Sequence, residues 1–422
     1  MDNKKNGIPK LRFPGFTGAW EQRKLGEVAT RVTRKNKNLE STLPLTISAQ
    51  LGLVDQISYF DKRIASSNLT NYILLNRGEF AYNKSYSNGY PFGAVKRLNR
   101  YDKGVIPSLY IAFMPNTIFI NSDFMEMYFE TSLWHKEVSA RASEGARNHG
   151  LLNISPSDFM DIYMEIPEKI EEQKKIAKFL EDFDSLIALH QRKLEHLQEQ
   201  KKGLLQKMFP KNGETVPEVR FPGFTDAWEQ RKLGEVFDTV TDYVANGSFK
   251  SLRDNVKSYT KENYAYMIRL QDASNNWKGP WLYTDEAGYS FLTKSKLHPN
   301  DIIMSNVGSV GKFFLIPELD KPMTLAPNAV LIKSSKNNAL FLYQMMISTP
   351  MQVAVGRKTT PGVQLKINKT DFKRIQTNLP SLNEQEKIGE FFKQLDSLIA
   401  LHQRKLEHLE LMKKGLLQQM FV

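Results

Sequence analysis

The sequence predicts an α+β protein with two mixed α/β regions and an antiparallel pair of long coiled-coil helices, related by a pseudo-two-fold internal repeat. A block of 17 residues that begins at Arg12 returns at Arg220 with one change. A second block, residues 184–197, returns unchanged as residues 396–409. The segments between the copied blocks differ almost completely, so the repeat unit is half of the chain.

Each half ends in a segment with the residue spacing of a coiled coil. In residues 171–209, core positions recur in alternating steps of four and three, which is a heptad seam. A proline precedes each of the two helical segments. Because the halves are copies, pairing about a two-fold axis would lay the helices antiparallel. The seam positions are Ile176, Leu180, Phe183, Ile187, His190, Leu194, Leu197, Lys201, Leu204 and Met208, with copies 212 residues later.

A histidine occupies the seam near the centre of each helix. An element that crosses a two-fold axis meets its copy near its midpoint, so we expect His190 and His402 to lie close together. Two imidazoles could belong to a metal site or a pH switch. They are too few for a metal site, and His196 lies off that face of the helix. We therefore favour a polar pair that fixes the register of the helices.

The segments between the copied blocks, residues 29–166 and 237–379, are expected to be mixed α/β. Short apolar runs broken by Gly, Pro and Asn predict small antiparallel sheets. Each segment also predicts one helix near its end, at residues 122–142 and 338–355. The copied aromatic residues around Trp20 are expected to pack each segment onto the helices. The apolar runs are residues 106–113, 301–304 and 329–332.

Polar loops in both segments carry side chains that read the edges of DNA bases. Arg and Lys suit guanine, Asn and Gln suit adenine, and Thr suits the thymine methyl. A solvated loop is the alternative for any one residue, but together they favour nucleic acid. The candidates are Asn83, Lys84, Tyr86, Asn88, Tyr90, Arg147 and Asn148 in the first segment, and Asn306, Ser309, Lys312, Arg357, Lys358 and Thr359 in the second.

The composition favours a polyanionic partner and excludes several kinds of chemistry. The 58 Lys and Arg outnumber the 46 Asp and Glu, which gives a net charge of +12. The absence of cysteine excludes disulfides, thiolate zinc sites and a cysteine nucleophile. Residues 308–312 have the wrong spacing for a phosphate-binding loop, and no other catalytic motif is found. Without a membrane span or a signal peptide, we expect a cytoplasmic protein.

The start of each long helix resembles the hallmark of the type I restriction–modification specificity subunits. The resemblance lies in residues 166–184, which include Gln173, and in residues 379–396, which include Gln385. The run that begins at Trp20 and its copy resemble the openings of the family's target-recognition domains. Because both motifs occur twice and in the correct order, the resemblance covers essentially the whole chain.

The resemblance implies target-recognition domains at residues 1–168 and 211–381, and spacer helices at residues 169–210 and 382–422. Each domain would read one half of an asymmetric, bipartite double-stranded DNA target, and the helices would set the spacing. The chain itself would hold no cofactor and would not be an enzyme. Two modification subunits with S-adenosylmethionine would dock on it, and restriction subunits that use ATP and Mg²⁺ would join. The alternative is a coiled-coil scaffold that binds nucleic acid without specificity.

Overall fold

The chain folds into two compact units. Unit 1 comprises Met1–His190 with Arg404–Val422, and unit 2 comprises Gln191–Gln403. Each long helix therefore contributes residues to both units. The computed structural model describes residues 7–87, 89–142, 152–211, 213–360 and 365–422.

Unit 1 is built around a four-stranded antiparallel sheet. Its strand order is Ala29–Val32, Ile111–Pro115, Phe80–Asn83 and Ala94–Arg97. The inward rings of this sheet pack against two helices, Ser122–Glu130 and Leu133–Arg141. The remaining strands are Glu21–Lys24, Leu45–Ser48, Gly52–Asp55, Ile73–Asn76, Lys103–Ile106 and Tyr163–Ile166, and the short helices are Leu25–Val28, Gln56–Phe60 and Pro156–Met160.

Unit 2 contains a four-stranded antiparallel sheet with the same connectivity. Its strand order is Thr239–Asp242, Val330–Lys333, Ile302–Met304 and Phe313–Leu315. A second sheet has the order Tyr283–Thr284, Ala265–Ile268, Met323–Leu325 and Lys296–Leu297, and the last paired strands are Glu229–Lys232 and Gln376–Leu379. The helices are Leu233–Val236, Tyr243–Asn246, Phe249–Asn255, Leu270–Ser274, Glu286–Phe291, Thr293–Ser295, Ala339–Ile347, Thr349–Arg357 and Lys369–Lys373.

The single helices predicted at residues 122–142 and 338–355 are each two helices in the structure, so that prediction was wrong. In unit 1, the Thr131 hydroxyl donates a hydrogen bond to the Tyr128 carbonyl at 2.7 Å, which offers the backbone an alternative to another helical turn. In unit 2, Pro350 lies in the first turn of the second helix. Proline is tolerated there but cannot continue the preceding helix.

Of the predicted strands, one is wrong and two are confirmed. Residues 106–113 contain a turn, in which the Tyr110 N–H donates to the Pro107 carbonyl at 3.0 Å. The strands before and after this turn belong to different sheets. A proline cannot donate to a sheet, which explains why the pairing is interrupted here. The other two runs form Ile302–Met304 and Val330–Lys333, close to their predicted positions.

The two long helices are confirmed. Ile170–Lys207 has 38 residues and Leu382–Met420 has 39, so each is about 58 Å long at about 1.5 Å per residue. Every predicted seam position is buried or half-buried. In unit 1, Ile176 near the start of the first helix shares a core with Met420 at the end of the second. In unit 2, Leu204 shares a core with Phe392, which is the reverse arrangement. The helices therefore run antiparallel.

The copied block seats each segment on the helices, as predicted. Trp20 is 5% exposed and its ring lies 5.8 Å from that of Phe124, at the start of a helix of the first segment. Trp228 is 2% exposed and lies 5.8 Å from Phe341, the equivalent residue in unit 2. His190 belongs to unit 1 and His402 to unit 2, and their proximity stays a prediction.

The copied arginine and the glutamate of the helix motif form one buried ion pair in each unit. Arg12 donates two hydrogen bonds to the Glu172 carboxylate at 2.7 and 2.9 Å. Arg220 does the same to Glu384 at 2.7 and 2.8 Å. Both carboxylates are nearly inaccessible, and such paired geometry is what allows a charge to be buried. In each unit, the first copied block is thus held against the motif at the start of the long helix.

Candidate nucleic-acid interface

Most of the predicted base-reading residues that the structure describes lie in or beside equivalent loops of the two units. In each four-stranded sheet, the third strand in spatial order is joined to the fourth by a loop that we call the central loop. It comprises residues 84–93 in unit 1 and residues 305–312 in unit 2. The same frame therefore presents two loops of unrelated sequence, Lys-Ser-Tyr-Ser-Asn-Gly-Tyr-Pro-Phe-Gly and Ser-Asn-Val-Gly-Ser-Val-Gly-Lys.

In unit 2, the structure joins the central loop, which contains Asn306, Ser309 and Lys312, to the segment that contains the candidates 357–359. The Ile367 N–H donates to the Asn306 carbonyl at 3.1 Å, which joins the central loop to the segment that follows the late helices. Within that segment, the Thr360 N–H donates to the Lys366 carbonyl at 2.8 Å. Residues about 50 positions apart in the sequence thus share one surface.

This surface of unit 2 is basic. Lys312, Arg357 and Lys358 are exposed and form no ion pair with any residue that the structure describes. Ser309 is exposed beside them, and the Thr359 hydroxyl donates back to the Val355 carbonyl at 3.0 Å. Unpaired cations on one face are suited to DNA phosphates, which supply most of the non-specific affinity of DNA-binding proteins.

In unit 1, the central loop is aromatic and polar. The Leu152 N–H donates to the Lys84 carbonyl at 3.0 Å, a contact like that of unit 2. The Lys84 ammonium donates to the Ile154 carbonyl at 3.1 Å, which uses one of its three N–H groups. Tyr86 is 56% exposed. The Asn83 side chain accepts a hydrogen bond from the Ser85 N–H, and Tyr90 and Ser87 exchange backbone hydrogen bonds. Asn88, Arg147 and Asn148 lie outside the described residues.

A rigid base supports the central loop of each unit. In unit 1, the Phe92 ring lies 4.9 Å from that of His135, and burial lowers the pKa of this histidine, which keeps it neutral at pH 7. A Cβ at Gly93 would overlap the Asn83 carbonyl oxygen, so only glycine fits there. In unit 2, Gln352 donates to the Gly311 carbonyl at 3.0 Å. A late helix fixes the loop in both cases.

A second candidate surface was missed by the sequence analysis. Leu186 and Leu189 lie off the seam and are 40% and 41% exposed. Their copies in unit 2, Leu398 and Leu401, are 47% and 38% exposed. The signal was present in the sequence, because identical leucines outside the seam positions stand in both copies. Apolar residues that repeat at exposed positions are candidates for a contact with another molecule.

The comparison with known proteins assigns the family. The family model described as the type I restriction modification DNA specificity domain matches residues 95–199 and 225–411, which is more than half of the chain. The chain belongs to the type I restriction–modification DNA specificity family. Its function is that of a DNA specificity subunit, whose general partners are DNA and the methyltransferase and restriction subunits. The alternative of a non-specific scaffold is not favoured.

Individual relatives agree with the family match. The MjaVIII type I restriction enzyme specificity subunit of Methanocaldococcus jannaschii is 25% identical over 304 residues, which are 69% of this chain and 68% of that protein. The putative MjaX specificity subunit of the same organism is 27% identical over 268 residues, 60% of this chain and 58% of that protein. The solved S subunit from M. genitalium has the same fold, with a TM-score of 0.53, 14% identity, and coverage of 98% and 99% of the two chains.

Neither a metal-ligand cluster nor a membrane span is found among the described residues. No group of three or more His, Cys, Asp or Glu side chains is placed to hold a metal ion in the part of the chain that the structure describes. Over the same residues, no helix is both long enough and apolar enough to cross a membrane.

Proposed function

We propose that unit 1 and unit 2 each read one half of an asymmetric, bipartite DNA sequence, and that the long helices set the spacing between the halves. One observation carries this proposal: equivalent central loops on equivalent sheets have unrelated sequences, whereas the frame around them is copied. A single frame with two different loops is suited to two different half-sites. Side chains in these loops would contact base edges, and the exposed cations of unit 2 would contact phosphates.

We further propose that two copies of one modification subunit dock on the long helices. The support is the second copied block, residues 184–197 and 396–409, which is identical at its exposed positions as well as at its buried ones. Packing in the core explains identity only at the buried positions. An identical outer surface that contains Leu186 in one unit and Leu398 in the other suits two identical partners.

In this proposal the chain is the non-catalytic member of the complex and acts in the cytoplasm. The two docked subunits would bring S-adenosylmethionine, and restriction subunits would bring ATP and Mg²⁺. The role of this chain is then to position those active sites on a chosen sequence. Its own contribution is binding free energy that differs between DNA sequences, typically about 1–3 kcal/mol for each mismatched base pair.

The experiment that tests specificity is selection from random DNA by the complex of this chain with its methyltransferase subunit. We expect enrichment of two short sequences separated by a fixed spacer, with binding of enriched DNA surviving salt that releases random DNA. Exchange of residues 29–166 for the equivalent segment of another specificity subunit should change one half-site only. Equal binding of enriched and random DNA at every salt concentration would refute the proposal.

The docking proposal has a matched control on the same helices. Leu186→Glu should remove one modification subunit, and the double variant with Leu398→Glu should remove both, as counted by native mass spectrometry. Leu411 is 68% exposed, but its equivalent in the other copy is Glu199. Leu411→Glu should therefore leave two subunits bound. Retention of both subunits by the double variant would contradict the docking surface.

A further inference from the structure

Unit 2 has an element beside its central loop that unit 1 lacks. After the first strand of its four-stranded sheet, unit 2 forms the helical turn Tyr243–Asn246 and the helix Phe249–Asn255. At the equivalent place in unit 1, residues 33–44 are all described and contain turns but no helix. Residues of the added helix and of the central loop line one open groove of about 560 Å³, together with Asn328. Recognition sites for ligands are commonly of this size.

The rim of the groove is apolar in a way that the fold does not require. Phe249 is 78% exposed although it is the first residue of its helix and lies three positions before the buried Leu252. Helical spacing would place both residues on the inner face. Val244 and Val307 line the same groove and are 43% and 38% exposed. Single exposed apolar residues are ordinary, but three around one concavity mark a contact surface.

The polar lining indicates that the occupant of the groove is an anion with hydrogen-bonding edges. Arg253 and Lys366 line the groove, are exposed, and form no ion pair with any residue that the structure describes. Asp242 is the acidic residue of the described lining, and Lys369 neutralises it through a contact of 2.8 Å. Asn306 of the central loop also lines the groove. Its side-chain amide has one donor and one acceptor group, which complement the N7 acceptor and the N6 donor of adenine. This charge and this continuity with the central loop favour DNA over a protein surface.

We propose that Phe249 makes an apolar contact with a thymine methyl group in the half-site that unit 2 reads. This inference rests on the proposed function and adds a residue that determines specificity. In the major groove, the thymine C5-methyl is the apolar feature of the base edges, and a phenylalanine ring is one of the groups that contact it. Arg253 and Lys366 would hold the adjacent phosphates while Asn306 reads a neighbouring base. Residues 33–44 of unit 1, all of them described, form no such helix, so the half-site of unit 1 would not depend on this contact.

The test uses the full chain in complex with its methyltransferase subunit, together with DNA enriched from a random pool. Each thymine of the half-site assigned to unit 2 is replaced in turn by deoxyuridine, which removes only the methyl group. At one position the unaltered protein should lose about fourfold in affinity, the value expected for about 0.8 kcal/mol per buried carbon. Phe249→Ala should bind enriched DNA about tenfold more weakly and should no longer distinguish thymine from deoxyuridine at that position.

Two controls test whether the effect belongs to the Phe249 ring in the groove. Tyr264 is also a partly exposed aromatic residue of unit 2, at 42%, but it does not line the groove, so Tyr264→Ala should keep the response to deoxyuridine. Thermal unfolding of Phe249→Ala should match that of the unaltered protein because the ring is largely exposed.

The outcomes are distinct. If Phe249→Ala retains the discrimination, or if no thymine methyl matters in that half-site, the inference is overturned while the proposed function stands. Loss of the modification subunit from Phe249→Ala would assign the groove to a protein partner and would also overturn the inference. If the unaltered complex enriches no sequence, the proposed function itself is refuted, and the inference that rests on it falls with it.

Discussion

Replacement of Lys413 should destabilise unit 1 selectively. Its ammonium lies 2.6 Å from Glu130 and 2.6 Å from Asp184, and its side chain is only 13% exposed. Lys413→Met keeps most of the apolar stem, but it removes the cation of Asp184 and leaves Glu130 only the longer contact with Lys96 at 3.9 Å. In unit 2, the equivalent Lys201 lies 2.6 Å from the single carboxylate of Asp396, which also accepts from a neutral amide.

The expected magnitude follows from burial. Removal of one partner of a buried pair costs about 3–5 kcal/mol, whereas an exposed pair contributes about 0–1 kcal/mol. Glu130 and Asp184 are 27% and 42% exposed, so water screens part of the interaction and a loss of about 2 kcal/mol is expected. This corresponds to a roughly 30-fold increase in local opening. Lys201→Met should cost about half as much, because the Asp396 carboxylate keeps its other hydrogen bond.

The pH dependence of the defect provides an independent check. Burial raises the pKa of Asp184, and Lys413 opposes that effect. Without Lys413 this pKa rises further. A carboxyl group whose pKa is raised on folding favours the folded state at low pH, and that contribution is lost as the pH rises through the folded-state pKa. The Lys413→Met defect should therefore be smaller at pH 5 than at pH 8.

Hydrogen exchange measured peptide by peptide is the suitable assay, because it follows the two units separately. Peptides from Ser122–Glu130 should lose protection in Lys413→Met, and peptides from Ala339–Ile347 should not. Lys201→Met should give the opposite pattern. Equal protection in the variant and the unaltered chain, or a defect that grows in acid after correction for intrinsic exchange rates, would refute the argument.

Three further predictions concern the frame and the DNA surface. Gln173 is fully buried, and its side chain makes three hydrogen bonds to backbone groups. Gln173→Ala should therefore lower the free energy of unfolding by about 3 kcal/mol or more, measured as a lower urea midpoint. Gln173→Glu should recover the hydrogen bond from the Asn121 N–H. Phe421→Ala should lower the free energy of unfolding by about 3–5 kcal/mol. Because the ring packs within unit 1, hydrogen-exchange protection should fall in that unit only. Equal losses of protection in both units would contradict this prediction. Arg357→Ala and Lys358→Ala should each lower the salt dependence of DNA binding by about one phosphate contact, measured as the slope of log affinity against log salt, and unchanged slopes would remove these residues from the interface.

The sequence alone determined the repeated frame. The heptad spacing specifies the long helices, because a periodic apolar stripe over many residues has to be buried. The copied halves indicate the antiparallel pairing about a two-fold axis and the seating of Trp20. The equivalence of the two central loops was also accessible, since flanking motifs repeat around them. Both features depend on local pattern and on comparison of the chain with itself.

The tertiary structure decided which side chains share a surface and which are already engaged in hydrogen bonds within the protein. Lys84 looks like a free loop cation in the sequence but donates to the Ile154 carbonyl. Phe249 is exposed, although its spacing from the buried Leu252 would place it on the inner face of its helix. The groove beside Asn306 joins segments that are distant in the chain. Such outcomes depend on contacts between residues far apart in sequence, whose free energies override the local preferences that a sequence pattern reports.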